Sequence, residues 1–335
     1  MSDLSEQRVP GATWERVADP SALGYSADGL AAAEAFTAET ATAAVVVVVG
    51  GVILAEWGEV DRKFMTHSTR KSFLSALYGK YVESGAIDPD RTLGDCGIDD
   101  EPPLTDLEKT ATIRDCLKSR SGIYHDALYE TPRMQELKPA RGSHKPGTYW
   151  YYNNWDFNVL GTVFEQLTGN KVFEALKSDI AAPIGMESFE VSDGEYVRGD
   201  ASVHAAYPFK ITARDMARFG LLMLRGGDWA GTRVIPEGWV RESTRYHSDA
   251  TLYSCDGYGY MWWVARSCNK HPHYPNVQLP EGTYSARGYR GHYILVIPDR
   301  DMVVVHRVDT FEKDIRVSSA ETGTLVDLIL QAAAG

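Results

Sequence analysis

Residues 43–55 read AAVVVVVGGVILA, and positions 45–49 are all valine. Branching at Cβ stiffens each side chain and favours extended backbone. Successive residues of a strand point to opposite faces, so a run that is apolar at every position needs cover on both. Gly50-Gly51 interrupts the run where a two-residue turn would reverse the chain. The stretch is too short to cross a bilayer as a helix. It predicts a tight hairpin of two buried strands, around which the other elements must be arranged.

Helical patterns surround this hairpin. Residues 28–40 are Ala-rich, and residues 68–83 place Phe73, Leu77 and Tyr81 at i+4 steps beside Leu74, Tyr78 and Val82, a broad apolar face stopped by Gly85. Thr112 and Asp115 form a capping box for a short helix expected to end near Gly122. Phe157, Leu160, Phe164 and Leu167 share a stripe over 156–167, closed by Gly169, and Thr212 with Asp215 opens a helix ending at Gly226-Gly227. In the last third, residues 258–264, 293–297 and 302–308 read as strands, followed by a closing helix over 321–332. Strands at both ends and helices between them imply an α/β (α+β) fold. One antiparallel sheet, flanked by the terminal helices, would be built from residues 1–90 and 205–335. A mostly helical domain over 91–204 would be inserted, with a ligand cleft between the two.

Of 335 residues, 44% are hydrophobic and 24% charged, the balance of a globular protein rather than a disordered or fibrous one. Lys plus Arg number 34 against 46 Asp plus Glu, a net charge of −12 that argues against nucleic acid as a partner. The N-terminal residues show neither a basic start nor an apolar core, so no signal peptide and a cytoplasmic location are expected, without membrane association. Cys96, Cys116, Cys255 and Cys268 are widely spaced, which predicts free buried thiols rather than a metal or redox pair.

The strongest chemical signal is Ser68-Thr-Arg-Lys71 at the start of the second helix. Residues i and i+3 share a helix face, which brings the Ser68 hydroxyl and the Lys71 amine within hydrogen-bonding reach at the positive end of the helix dipole. A lysine whose pKa is lowered by burial can serve as base for a serine nucleophile. Alone, the pattern reads as a helix cap beside a solvated lysine. Two further motifs separate the readings: Tyr152-x-Asn154 just before the 156–167 helix, and Gly288-Tyr-Arg-Gly291-His292 leading into a strand.

In order and context the three motifs resemble those of the serine β-lactamase and penicillin-recognising superfamily. The resemblance is closest to its class C-like branch of esterases and 6-aminohexanoate-dimer hydrolases, and extends over about residues 25–310. It implies that Ser68 is the acylated nucleophile, that Lys71 and Tyr152 form the general acid/base pair, and that Asn154 steadies the lysine and the acyl group. The sequence does not choose which of Lys71 and Tyr152 is the base. Backbone N–H groups of Ser68 and His292 would form the oxyanion hole. Relatives usually carry Lys or His where this chain has Tyr289, within Tyr289-Arg290-Gly291. Arg290 or Arg287 would either replace that cation in carboxylate binding or be a strand-edge charge. Tyr124 falls where the dimer hydrolases place a cleft tyrosine, and reads equally as a loop side chain covering the core. Of Trp155, Trp262 and Trp263, one or two at most are expected to meet substrate.

Other signals are set aside. His271-Pro-His273 lacks further ligands for a metal and reads as exposed loop histidines, and His67 reads as structural. No G-x-S-x-G elbow, H-E-x-x-H or Walker loop is present. The expectation is a cofactor-free, metal-free serine hydrolase acting on an ester or amide of a small molecule. An acyltransferase, a β-lactamase or D-amino-acid peptidase, and a non-catalytic binding protein are the alternatives. Oligomeric state is open.

Overall fold

The computed structural model describes residues 8–266, 272–311 and 315–333. The predicted hairpin forms as β1 (Thr42–Val49) and β2 (Val52–Gly58), turning at Gly50 and Gly51, both with positive φ. Six further strands complete one antiparallel sheet: β3 (Ser248–Asp249), β4 (Gly257–Tyr258), β5 (Trp263–Val264), β6 (Tyr284–Gly288), β7 (His292–Ile297) and β8 (Met302–Val308). Their order is β2-β1-β8-β7-β6-β5-β4-β3, so strands from the two ends of the chain meet at the β1–β8 pair.

The valine run divides between two cores, as the strand period of two requires. Val46 and Val48 face the larger core with Phe73, Phe219 and Ile294; Val45, Val47 and Val49 face the other with Leu30, Leu325 and Ile329. That second face is covered by α1 (Ala27–Ala38) and α5 (Ser319–Gln331), which pack on each other. The first is covered by α2 (Arg70–Glu83) and α4 (Ala213–Leu224), with α3 (Asn154–Thr168) packed beyond α2. The caps read from the sequence at Thr212, which opens α4, and at Gly169, which closes α3 at φ 73°, are in place; α5 starts two residues earlier than expected, because a capping box of Ser318 and Glu321 opens it.

Three local expectations are corrected. Residues 258–264 are not one strand but a hairpin, because Met261 takes φ 59° and Gly259 N–H bonds to Trp262 O at 2.8 Å. The helix opened by Thr112 covers only Ile113–Leu117, ending before Ser119 turns into the left-handed region at φ 57°. Cys96 and Cys116 are free and buried, but Cys255 is disulfide-bonded. Pairing depends on the approach of Cα atoms, which spacing along the chain does not report. Cys268 lies outside the described residues.

Gly220 lets α4 lie close on β7 and β8. A Cβ there would sit 2.6 Å from Val303 Cγ1 and 2.9 Å from Ile294 Cγ2, both on stiff β-branched side chains. Gly220→Val should therefore destabilise the fold by about 1–3 kcal/mol through overpacking, seen as a lower urea midpoint with an unchanged m value.

Candidate active site

The segment that carries Ser68 is held by its own hydrogen bonds. His67–Thr69 forms a single 3-10 turn that runs directly into α2. Thr66 donates its N–H and its hydroxyl to Phe209 O, both at 2.9 Å, and Thr69 Oγ1 donates to Thr66 O at 2.7 Å. His67 adopts φ 48°, a left-handed conformation that costs of the order of 1–3 kcal/mol in a non-glycine residue. Its ring is fastened by a 2.8 Å bond between Nε2 and Thr310 Oγ1 and packs on Tyr289 and His292. Burial, with Arg307, Arg70 and Arg290 nearby, lowers its pKa to about 4, so it is neutral.

Lys71, on the first turn of α2, is buried. Its Nζ lies 2.8 Å from each of three oxygens: Ser68 Oγ, Tyr152 OH and Asn154 Oδ1. Burial, reinforced by the Arg70 guanidinium, pushes Lys71 well below the usual ammonium range. Burial also raises the phenol of Tyr152 to about 12, opposed by a hydrogen bond with Ser68 and by Arg70 and Arg287. Both directions favour a neutral amine beside a neutral phenol.

Tyr152 is wedged among Phe157, Tyr253, Tyr258 and Trp263. Asn154 spends its amide hydrogens on the carbonyls of Leu128 (3.2 Å) and Tyr129 (2.8 Å), which leaves its oxygen for Lys71. Asp156 fixes the other side of this loop: it accepts from Ser121 Oγ at 2.5 Å and Asn153 Nδ2 at 3.0 Å. The motif Ser121-Gly122-Ile123 thus acts as a brace for the tyrosine loop.

Ser68 and Tyr152 open onto a cleft of about 660 Å³ whose walls include Met65, Pro132, Met134, Pro208, Trp263 and Tyr293. β6 forms one side. Gly288 is close enough to the nucleophile turn that a Cβ would meet Thr66 O at 2.8 Å. Arg287 lies along the cleft with its guanidinium over Trp263, paired to Asp256 at 2.8 Å. Tyr289 and Arg290 also line the cleft, the Arg290 guanidinium lying over the Tyr289 ring.

The remaining predicted contacts are placed elsewhere. His292 is fully buried, pairs with Gly288 across the β6–β7 hairpin, and does not line the cleft. Gly291 supplies a turn at φ 108° whose carbonyl bonds to His306 Nδ1 at 2.5 Å. Tyr124 bonds to His144 Nδ1 at 3.2 Å and borders a separate hollow with Arg141 and Asp126. Trp155 and Trp262 belong to the core, and Trp263 alone of the three borders the cleft.

Two histidines set aside from the sequence do line it. His67 borders the cleft beside Ser68, and His273 bonds to Tyr293 OH at 3.3 Å with its pKa pushed well down by burial. His271 lies outside the described residues. Sequence reasoning also passed over Arg70, buried with Nη2 on Asn158 Oδ1 at 3.3 Å and its guanidinium over Tyr207. Its neighbours Thr69, Lys71 and Ser72 are polar, so nothing in the local sequence marks it as buried. Among the described residues no group of three metal-ligating side chains converges, and no helix is long and apolar enough to cross a membrane.

Arg307 secures this geometry from behind. It is fully buried on β8, donating to Ile211 O (2.9 Å), Phe64 O (2.8 Å), Met65 O (3.2 Å) and His292 Nδ1 (3.1 Å). Burial lowers its pKa to about 9. Arg307→Met should cost more than about 3 kcal/mol, because several buried acceptors lose their donor at once. Guanidinium chloride unfolding measures the loss.

Comparison with known proteins agrees with the architecture. The family model described as Beta-lactamase matches residues 30–317. The chain is 25% identical to the 6-aminohexanoate-dimer hydrolase of Paenarthrobacter ureafaciens over 87% of this chain and 78% of that one. Among solved structures, a β-lactamase from Mycobacterium bovis superposes with a TM-score of 0.64 at 19% identity, covering 87% of this chain and 95% of the other. A penicillin-binding protein homologue from Caulobacter crescentus gives 0.66 at 15% identity, covering 92% and 99%. At these identities the two superpositions speak to the fold.

Proposed function

The chain belongs to the Beta-lactamase family, and within it we propose that this protein is a cofactor-free serine hydrolase that cleaves an ester or amide of a small molecule through an acyl-enzyme on Ser68. The observation that carries the reading is the Lys71 amine, 2.8 Å from both Ser68 Oγ and Tyr152 OH at the foot of the cleft.

Lys71 is the base in this reading, because burial and Arg70 both disfavour its ammonium. As Ser68 Oγ attacks the carbonyl carbon, its proton passes to Lys71 Nζ. The oxyanion is met by backbone N–H groups of Ser68 and of Tyr289, the first residue beyond Gly288. Tyr289 replaces His292 in this role, since the backbone of His292 is paired with Gly288. When the tetrahedral intermediate collapses, Tyr152 OH gives its proton to the departing alkoxide or amine and is reprotonated by Lys71. Deacylation runs the same relay with water as nucleophile: water loses a proton to the pair, attacks the acyl carbon, and Ser68 recovers its proton as the acid leaves.

The paired state of Arg287 bears on substrate choice. Its charge is answered by Asp256 within a buried ion pair, so it offers little to a substrate carboxylate. Neutral acyl groups that fill an apolar cleft suit these walls better than the carboxylates of β-lactams or peptides.

Ser68→Ala should abolish p-nitrophenyl ester turnover and the acyl adduct seen by intact-protein mass spectrometry. Lys71→Ala and Tyr152→Phe should each lower kcat by several orders of magnitude, and the double variant little further, because the groups act as one relay. Near-normal turnover in Lys71→Ala would refute the mechanism.

The pH profile tests Arg70. Its cation stabilises both neutral Lys71 and an ionised Tyr152. Removing it raises both pKa values, so whichever group is the base is deprotonated only at higher pH. Arg70→Met should move the acid limb of kcat/KM to higher pH, and a limb that stays in place would count against this electrostatic role.

A further inference from the structure

Arg287 and its counter-ion border different hollows. The guanidinium lines the cleft that holds Ser68, whereas Asp256 is not among the cleft's described lining residues. Asp256 borders the adjoining hollow with Ala265 and Tyr274, and His273 lines both. The Arg287 guanidinium lies over the rings of Trp263 (4.8 Å) and Tyr274 (5.2 Å), with Nε donating to Ser285 Oγ at 2.9 Å. Asp256 is fixed from its own loop: Ser254 Oγ donates to its Oδ2 at 2.9 Å, and Ala250 N–H to its carbonyl at 3.0 Å. A ligand in the cleft would touch Arg287 without touching Asp256. It would meet a cation whose charge is cancelled from outside the cleft.

The pair is close but poorly aimed. Nη1 stands 2.8 Å from Asp256 Oδ2, yet none of its hydrogens is directed at an acceptor. Both side chains are 7% exposed. Desolvation of two charges outweighs an ill-directed contact, so such a pair adds little to stability. Its main consequence is electrostatic. Without Asp256, a guanidinium with an unbonded N–H would face the cleft. The other charged groups there are placed independently of this pair. Arg70 is buried and bonded to His67 O at 3.2 Å and to Asn158 Oδ1 at 3.3 Å, with its Nε unpartnered. Arg290 lies over the Tyr289 ring. Glu130 shares Lys138 with Asp126 and takes a backbone hydrogen bond from Ala127. Burial keeps His67 and His273 neutral. These groups set a background common to the protein with or without Asp256.

We propose that Asp256 is a specificity-determining residue: by neutralising Arg287 from outside the cleft, it disfavours acyl groups that end in a carboxylate and admits their neutral counterparts. This inference rests on the cleft being the substrate cleft of the hydrolase described above. It narrows the substrates to neutral esters or amides, and sets half-esters and half-amides of dicarboxylic acids apart from them. Removing the charge of Asp256 alone would turn the same cleft toward such anions.

The test reads binding and needs no turnover. 4-Phenylbutyrate and 4-phenylbutyramide share one shape and differ in charge. Calorimetry at pH 8 on the Ser68→Ala protein gives the ratio of their dissociation constants. Asp256→Asn in that background should shift the ratio toward the carboxylate about tenfold or more, the scale of a charge-assisted hydrogen bond. Adding Arg287→Met should return the ratio to near its starting value, because a neutral pair then replaces the ion pair. A ratio unchanged by Asp256→Asn overturns the proposal. So does a gain that survives Arg287→Met, which would assign it to Arg70 or Arg290. If Asp256→Asn loses its near-ultraviolet circular dichroism, Asp256→Ser carries the test with the same expected gain, and an unchanged ratio there is equally decisive against it. The gain in a protein whose wild type forms no acyl adduct would refute the hydrolase and leave the selector standing. Adduct formation without the gain refutes the selector alone.

Discussion

The Lys71 amine sits in a dry interior with no carboxylate paired to it among the described residues. An ammonium buried without a counter-charge is strongly disfavoured, so the group stays in place as a neutral amine fully occupied by oxygens. Those oxygens come from the turn before α2, the loop before α3 and the first residue of α3. Meeting the needs of one nitrogen thus draws three parts of the chain to a point. Asn154 extends the chain of dependence, because its amide hydrogens hold the carbonyls of Leu128 and Tyr129 and so fix the cleft wall opposite β6.

Helix α2 can carry a buried lysine because it is enclosed along most of its length; positions 70 to 79 are all buried. Its polar residues are answered individually. Ser72 Oγ bonds to Met261 O and Ser75 Oγ to Tyr260 O, each at 2.7 Å, which ties the helix to the β4–β5 turn and so to Trp263. Phe73 stacks on Phe219 of α4 at 3.8 Å. Arg307 does the same service for the approach to Ser68, donating to the carbonyls of Phe64, Met65 and Ile211 where residues 64–65 pair with 210–211. Rigid support of this kind lets a serine hydroxyl and an amine keep hydrogen-bonding distance without substrate.

Charge is unevenly distributed among the residues of the cleft. Arg70 touches no carboxylate among the described residues and acts on Lys71 and Tyr152 through the field; Arg287 is paired with Asp256. Glu130 shares Lys138 with Asp126.

Much of the frame was legible because it follows from short-range periodicity. Five valines in a row admit a doubly covered strand and little else. The i, i+3 spacing of Ser68 and Lys71 survives in a 3-10 turn joined to an α-helix, and the caps at Thr112, Thr212 and Gly169 are local bonds. The β4–β5 hairpin was misread as one strand because its turn is drawn by serines on α2, far away in sequence. β6 carries no β-branched residue and was not read as a strand, yet it forms one side of the cleft. His292 and Tyr124 looked like site residues in the linear order; pairing register sends the first into the sheet, and a loop carries the second to another hollow. Arg287 acquires its meaning only from Asp256, a partner on another segment of the chain. The sequence by itself determined the valine hairpin, the helix periods and the approach of Ser68 to Lys71, since these depend on neighbours within a turn. Tertiary structure alone decided which charges are buried, which are paired and which face the cleft, because those depend on contacts between elements that no local spacing encodes.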